Sequence, residues 1–194
     1  MKKIALFGIA LVLALLAGIA LPWLTGEGEG KRAPPLPTGS DFVLQSANGP
    51  VDSKAWRGKV ALIYFGYTNC PDICPASMSS WAQALKALSP DERSQVRLLL
   101  VSVDPERDTL EHLRSYAAFF HPEMIGATAT PEEIARLAKA FGAGYIRQAT
   151  AADGSYAVDH TTSTYVIDPT GKLAAVLEFG ASSDKITSTI RSLL

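Results

Sequence analysis

The hydrophobic pattern of the chain begins with an uninterrupted apolar run from Ile4 to Leu24, which contains no charged residue. About 20 apolar residues are enough to cross a bilayer as a helix. Two lysines precede the run and two glutamates follow it within five residues, so the positive-inside rule places the N-terminus in the cytoplasm. We therefore expect residues 1–24 to form a transmembrane signal-anchor.

A cleaved signal peptide is the alternative for this segment, because Gly18 to Ala20 offers a small-residue cleavage site. Both interpretations export the rest of the chain to the periplasmic or extracellular side of the cytoplasmic (inner) membrane. Residues 25–40 are rich in glycine, proline and charge, which indicates a flexible linker. The folded domain is then expected over residues 41–194.

Within that domain, apolar runs alternate with amphipathic segments. The runs Lys59–Tyr67 and Val96–Asp104 predict strands that are buried on both faces. Helical periodicity and end signals predict four helices: Pro75–Leu88, Asp108–Phe120, Thr130–Gly142 and Ser183–Leu193. Hairpins are expected around Asn48-Gly49 and around the turn 168–171, and a short strand near Met124. This order predicts an α/β domain with a mixed sheet and helices on both faces.

Two of the predicted helices carry N-terminal capping signals. Thr130 is expected to cap one helix, with Glu133 completing a capping box. Asp108 is expected to cap the preceding helix, with Glu111 in the equivalent position of its box.

Composition narrows the class of protein. The chain is 47% hydrophobic and 19% charged, with a net charge of −1. These values are ordinary for a globular protein, and they argue against a polyanionic partner such as nucleic acid. The chain has only two cysteines, so its distinctive chemistry is expected where they lie.

Cys70 and Cys74 are separated by three residues, and each is followed by a proline. They follow the predicted strand Lys59–Tyr67, at the end of the sheet where ligands collect in α/β folds. Proline disfavours helical dihedrals in the residue before it, so we expect a loop in which Cys74 caps the helix that Pro75 opens. The partial positive charge of that helix end would favour thiolate.

Three roles are open to such a pair. A structural disulfide is the weakest, because so short a ring removes little entropy from the unfolded chain. Dithiol redox chemistry and metal binding remain. Two thiolates are too few for a structural zinc site, but they suit Cu(I).

A third metal ligand is most naturally a histidine. His112 and His121 are explained by the surface and the C-terminal end of a predicted helix. His160 precedes a predicted central strand and has no such explanation, which makes it the candidate.

Three segments together resemble the Sco/SenC family of membrane-anchored copper proteins: Phe65–Met78, Val101–Thr109 and Asp159–Leu173. The resemblance implies a thioredoxin-like fold that binds copper, as Cu(I) or Cu(II), through Cys70, Cys74 and His160. It implies a copper chaperone, tethered by its N-terminal helix, that delivers copper to the dinuclear centre of cytochrome c oxidase subunit II or a similar acceptor.

The resemblance also offers Asp104 as an accessory ligand, because it matches an acidic position of the family. Asp159, adjacent to His160, is the sequence candidate for fixing the tautomer of that ring.

The alternative function is a membrane-tethered thiol-disulfide oxidoreductase, in which Cys70 and Cys74 form a redox-active disulfide. The spacing differs from the common C-x-x-C motif, and residues 160–164 lack the proline that dithiol oxidoreductases of this fold carry opposite their cysteines. Both departures favour a copper-transfer protein over an enzyme. A copper sensor would use the same residues, but no helix-turn-helix or kinase motif accompanies them.

Overall fold

The structure is a computed structural model, and it describes residues 37–194. The predicted anchor and most of the predicted linker lie outside the described residues. No helix within residues 37–194 is long and apolar enough to span a bilayer. The end of the predicted linker contacts the domain, since the Gly39 N–H donates to the Ala140 carbonyl over 3.1 Å.

A five-stranded mixed sheet forms the centre of the domain. Its first three strands are mutually parallel and the last two are antiparallel to their neighbours, as the sequence pattern predicts. In spatial order they are β5 (Met124–Ala127), β4 (Val96–Ser102), β3 (Val60–Gly66), β8 (Thr164–Ile167) and β9 (Leu173–Leu177).

Helices cover both faces of this sheet. Every residue of β3 is buried, with Tyr64 against Trp81 on one face and Phe65 against Phe141 on the other. The helices are α1 (Ile73–Lys86), the short α2 (Pro90–Ser94), α3 (Leu110–Phe120), α4 (Pro131–Phe141) and α5 (Ser183–Arg191). The continuous apolar run of β3 is therefore explained by burial from two sides.

Two small antiparallel pairs lie outside the main sheet. The predicted N-terminal hairpin is present as β1 (Val43–Ser46) and β2 (Gly49–Asp52), and its last pair joins Ser46 to Gly49, one residue earlier than expected. The second pair, β6 (Tyr145–Arg147) with β7 (Val158–His160), was not predicted. Strands of three residues carry too little periodicity to be recognised in a sequence.

The start of α1 differs from the prediction. Pro75 does not open the helix, which begins at Ile73 after Asp72, so Cys74 lies inside the first turn instead of capping it. The first-turn N–H groups of a helix have no intrahelical partner, so a proline is tolerated at any of these positions.

The cap of α4 is as predicted, with Thr130 and Glu133 in a reciprocal capping box and Gly142 in the left-handed conformation at its end. The cap of α3 is not. Thr109 accepts the N–H of His112, whereas Asp108 is buried and turned into the domain. The expectation that Asp108 caps this helix is therefore wrong.

Asp108 instead joins two loops. Its carboxylate accepts the Thr68 N–H (3.1 Å), the Thr68 hydroxyl (2.5 Å) and the Ser102 hydroxyl (2.6 Å). These donors come from the loop after β3 and from the end of β4. Buried donors are costly to leave unpaired, so a carboxylate that accepts three of them stabilises the domain more than it would at a helix end.

Replacing Asp108 should therefore destabilise the domain more than removing the true cap. We expect Asp108→Asn to lower the free energy of unfolding by about 2–3 kcal/mol, because the amide nitrogen leaves a buried donor unpaired. Thr109→Ala should lower it by about 1 kcal/mol. Urea unfolding followed by tryptophan fluorescence measures both, and a larger loss in Thr109→Ala would contradict this assignment.

Candidate metal centre

The fold brings Cys70, Cys74 and His160 together at one end of the sheet. One donor atom from each lies within 4.8 Å of the other two. The Cys74 Sγ lies 3.5 Å from the His160 Nε2. Within residues 37–194, this is the one group of three or more cysteine, histidine or acidic side chains with such spacing.

Each cysteine is placed by a different local feature. Cys74 is fully buried in the first turn of α1, against the end of β3. Cys70 is 9% exposed and precedes the helix in the loop, where its N–H donates to the Tyr67 carbonyl. Both thiols are free of a disulfide.

Gly66 makes room for the deeper thiol. A Cβ atom at this position would lie 2.6 Å from the Cys74 Sγ and 2.9 Å from Cε1 of Tyr64. Because no real Cβ contact is that short, the last residue of β3 has to be glycine for the sulfur to sit against the strand.

The tautomer of His160 follows from its neighbours. The Nδ1 lies 3.0 Å from the Thr161 carbonyl oxygen, which can only accept a hydrogen bond. The ring proton therefore sits on Nδ1, and the unprotonated Nε2 faces the Cys74 sulfur. Asp159, the sequence candidate for this role, instead accepts from the Gln148 side chain over 2.5 Å. Adjacent residues of a strand point to opposite sides, so Asp159 faces away.

Aromatic rings enclose the histidine. The Tyr64 and Tyr67 rings each meet the imidazole edge-on, with centroids 5.8 Å away. A groove of about 360 Å³ lies beside the histidine, lined by Tyr67, by the cysteine loop and by residues 157–160. Cys70 and His160 line this groove, whereas Cys74 is fully buried.

The pKa values of the two thiols are shifted in opposite directions. The neighbouring Cys74 thiol, together with backbone N–H groups of the loop, lowers the pKa of Cys70 to about 4 although burial opposes it. The neighbouring Cys70 sulfur, together with burial, raises the pKa of Cys74. One sulfur is therefore a thiolate at neutral pH and the other retains its proton until a cation displaces it.

Asp104 is not part of this group. Its buried carboxylate accepts the Arg107 Nε over 2.5 Å and the Tyr156 hydroxyl over 2.7 Å. Arg107 and Tyr156 were missed in the sequence, although Arg107 stands between the two aspartates of the segment Asp104–Asp108. Tyr67 was missed as well, and its hydroxyl accepts the N–H of Val158.

The donor set fits copper. Two thiolates and one imidazole are soft to intermediate ligands, and three of them satisfy Cu(I), which accepts low coordination numbers. A structural zinc site would require a fourth protein ligand, and the group has three members. No peptide bond in residues 37–194 is cis, so the proline arrangement of dithiol oxidoreductases is absent from this part of the chain.

Comparison with known proteins decides the family. Residues 30–194 match the sequence model of the family described as SCO1/SenC. The chain belongs to the SCO1/SenC family. Its sequence is 35% identical over 153 residues to the mitochondrial protein SCO2 homolog of Bos taurus, which covers 78% of this chain. This chain spans only 58% of that relative's own length.

Solved SCO1/SenC structures share the fold. The copper-bound crystal structure of Arabidopsis thaliana ScoI is 32% identical, with a TM-score of 0.70 over 79% of this chain and 96% of that one. BsSco, described as a member of the Sco family of cytochrome c oxidase assembly proteins with a disulfide switch, is 27% identical, with a TM-score of 0.62 over 83% and 95%. The expected thioredoxin-like α/β fold is thereby confirmed for the domain.

The acidity of Cys70 can be tested by alkylation of the reduced, metal-free protein. We expect its rate with iodoacetamide to stay nearly constant from about pH 8 to 6 and to fall only as the pH approaches its pKa of about 4. In Cys74→Ala, the loss of the neighbouring thiol should move this fall to higher pH. Mass spectrometry of the labelled peptide measures both profiles, and identical profiles would show that Cys74 does not lower the pKa of Cys70.

The space above Gly66 can be tested with a matched pair of glycine substitutions. Gly66→Ala should destabilise the domain by about 1–3 kcal/mol and weaken metal binding, because the Cys74 sulfur must move. Gly144→Ala is the control, since the nearest atom to its added Cβ is 4.0 Å away. Unfolding curves with equal midpoints for both variants would show that the sulfur is not constrained by the strand.

Proposed function

We propose that this protein is a membrane-tethered copper-transfer protein that carries one copper ion on Cys70, Cys74 and His160. The observation that carries the proposal is the convergence of these three donor atoms within 4.8 Å, with the unprotonated Nε2 of His160 facing sulfur. The copper-bound state of the similar Arabidopsis ScoI structure supports the choice of ion.

The geometry suits release as well as binding. Cys74 is buried against the end of β3, whereas Cys70 and His160 line the groove. An acceptor thiolate entering the groove would meet the copper ion from the side of Cys70 and His160 first. Copper would then pass by exchange of one sulfur ligand at a time, without being released to water.

The proposed acceptor is the dinuclear copper centre of cytochrome c oxidase subunit II or a similar cysteine-bearing site. Its support is membership of the family and the description of the similar BsSco as a cytochrome c oxidase assembly protein.

We further propose that residues 1–24 anchor the protein in the cytoplasmic membrane and residues 25–40 tether the domain on the exported side, because the apolar run and its flanking charges have the required pattern.

A thiol-disulfide oxidoreductase is the second candidate, favoured by the lowered pKa of Cys70. In this activity, the Cys70 and Cys74 thiols would become a disulfide while an acceptor disulfide is reduced to two thiols. The disulfide switch described for BsSco is consistent with such chemistry. The two activities are compatible, because an acceptor must be reduced before it can bind copper.

The copper proposal is tested by metal binding of the reduced full-length protein in detergent. Wild type should bind close to one copper ion per chain. His160→Ala should bind it more than about 100-fold more weakly, since loss of a residue that only hydrogen-bonds a ligand already weakens metal sites by about 10- to 100-fold. His112→Ala, which changes an exposed histidine on α3, is the control. Unchanged affinity in His160→Ala would overturn the three-ligand site.

The same variant separates the two candidate functions. Electron transfer to an oxidised acceptor dithiol requires Cys70 and Cys74 but does not require His160. If His160→Ala loses copper but reduces the acceptor at the wild-type rate, the oxidoreductase activity is independent of copper transfer. If Cys70→Ser and Cys74→Ser leave that rate unchanged, the protein is not an oxidoreductase.

A further inference from the structure

His160 stands on a segment with little support of its own. It ends β7, a strand of three residues that, within residues 37–194, pairs only with the equally short β6. Residues 148–157 connect the two strands, and all of them except the half-buried Tyr156 are exposed. The metal centre therefore combines two cysteines from a packed helix and loop with a third donor from a small hairpin. Contacts from another part of the domain are needed to keep this hairpin beside the thiols.

One such contact comes from the Tyr67 hydroxyl, and Arg107 makes others. Its Nη1 donates to the backbone carbonyl of Tyr156 over 2.9 Å, and its guanidinium lies 3.5 Å from the centre of the Tyr156 ring. Its Nε donates to Asp104, whose other oxygen accepts the Tyr156 hydroxyl. A closed ring of interactions thus joins Arg107, Asp104 and Tyr156, four residues before His160.

The same loop is also hydrogen-bonded to the segment that precedes Cys70. Asp108, the next residue after Arg107, accepts both the N–H and the hydroxyl of Thr68, two residues before Cys70. The loop Asp104–Asp108 is therefore bonded to the cysteine loop by one residue and to the histidine hairpin by its neighbour. This loop therefore joins the segment that precedes Cys70 to the hairpin that carries His160.

The interactions among Arg107, Asp104 and Tyr156 are largely shielded from water. The Asp104 side chain is 5% exposed and that of Arg107 is 26% exposed, unlike the four other ion pairs of residues 37–194, which lie at the surface. Water therefore competes poorly for these donors. Arginine is required for the arrangement, because its planar fork bonds a carboxylate and a carbonyl while stacking on a ring, and lysine cannot do all three.

We propose that Arg107 is the positioning residue for His160, holding the β6–β7 hairpin so that the imidazole stays beside the two thiols. The inference rests on the proposed function, because its consequence is measured as copper affinity. Arg107 does not bind the ion. Without it, the hairpin would spend only part of its time in the binding arrangement, and the apparent dissociation constant would rise by the inverse of that fraction.

The test is a double-mutant cycle on the reduced full-length protein, with copper affinity measured by competition with a Cu(I) chelator. Arg107→Lys should weaken binding about tenfold in the wild-type background. In the His160→Ala background it should have no further effect, because the ligand that it positions is already gone. Arg114→Met, which breaks an exposed ion pair with Glu111 on α3, is the matched control and should leave affinity unchanged.

A second measurement does not involve copper. In the metal-free protein, hydrogen exchange at the amides of residues 156–160 should be faster in Arg107→Lys, while exchange in β3 and α1 stays at the wild-type rate. Tyr156→Phe is the milder variant, because it keeps the ring and the carbonyl and removes only the hydroxyl that bonds Asp104. It should shift both measurements in the same direction by a smaller factor, and it decides the question if Arg107→Lys does not fold.

Two outcomes would overturn the inference. One is wild-type affinity and exchange in Arg107→Lys, or in Tyr156→Phe where the lysine variant is unfolded. The other is an equal loss of affinity in the wild-type and His160→Ala backgrounds, which would mean that Arg107 does not act through His160. Failure of the proposed function has a different signature, since His160→Ala alone would then bind copper as wild type does.

Discussion

The close contact between the Cys74 sulfur and the His160 ring is the interaction on which the site depends. The sulfur is fixed by the end of β3, where glycine leaves it space, and by the first turn of α1. The imidazole is oriented by one hydrogen bond to a backbone carbonyl and by two tyrosine rings. The sulfur and the ring are therefore packed against the end of the sheet, and the groove beside them is open.

The loop Asp104–Asp108, which follows β4, is hydrogen-bonded both to the cysteine loop and to the β6–β7 hairpin. Its two aspartates are buried, and each satisfies donors from a different part of the chain. Buried carboxylates are unfavourable unless they are fully hydrogen-bonded, so these interactions define the loop positions sharply. The domain thus relies on buried polar groups near the site, whereas it relies on apolar packing elsewhere.

Much of the fold was predictable because its signals are local. The runs that became β3 and β4 are apolar throughout, and Thr130, Glu133 and Gly142 specify the ends of α4 by themselves. Asp108 shows the limit of such signals. It and Thr109 are both good capping residues, and only donors from Thr68, distant in sequence, and from Ser102 at the end of β4 decide that the threonine caps the helix. The β6–β7 pair was missed because its strands are too short to show a period.

The sequence by itself determined the chemistry of the protein: two cysteines in one loop, one histidine without a structural explanation, and motifs that resemble a copper-binding family. Residue type and spacing are enough for this, because ligand preference depends on the donor atoms. Only the tertiary structure decided how the donors are held. It placed the Nε2 of His160 against the Cys74 sulfur and the Tyr156 hydroxyl against Asp104. These contacts join distant segments, so they depend on where the chain folds back on itself.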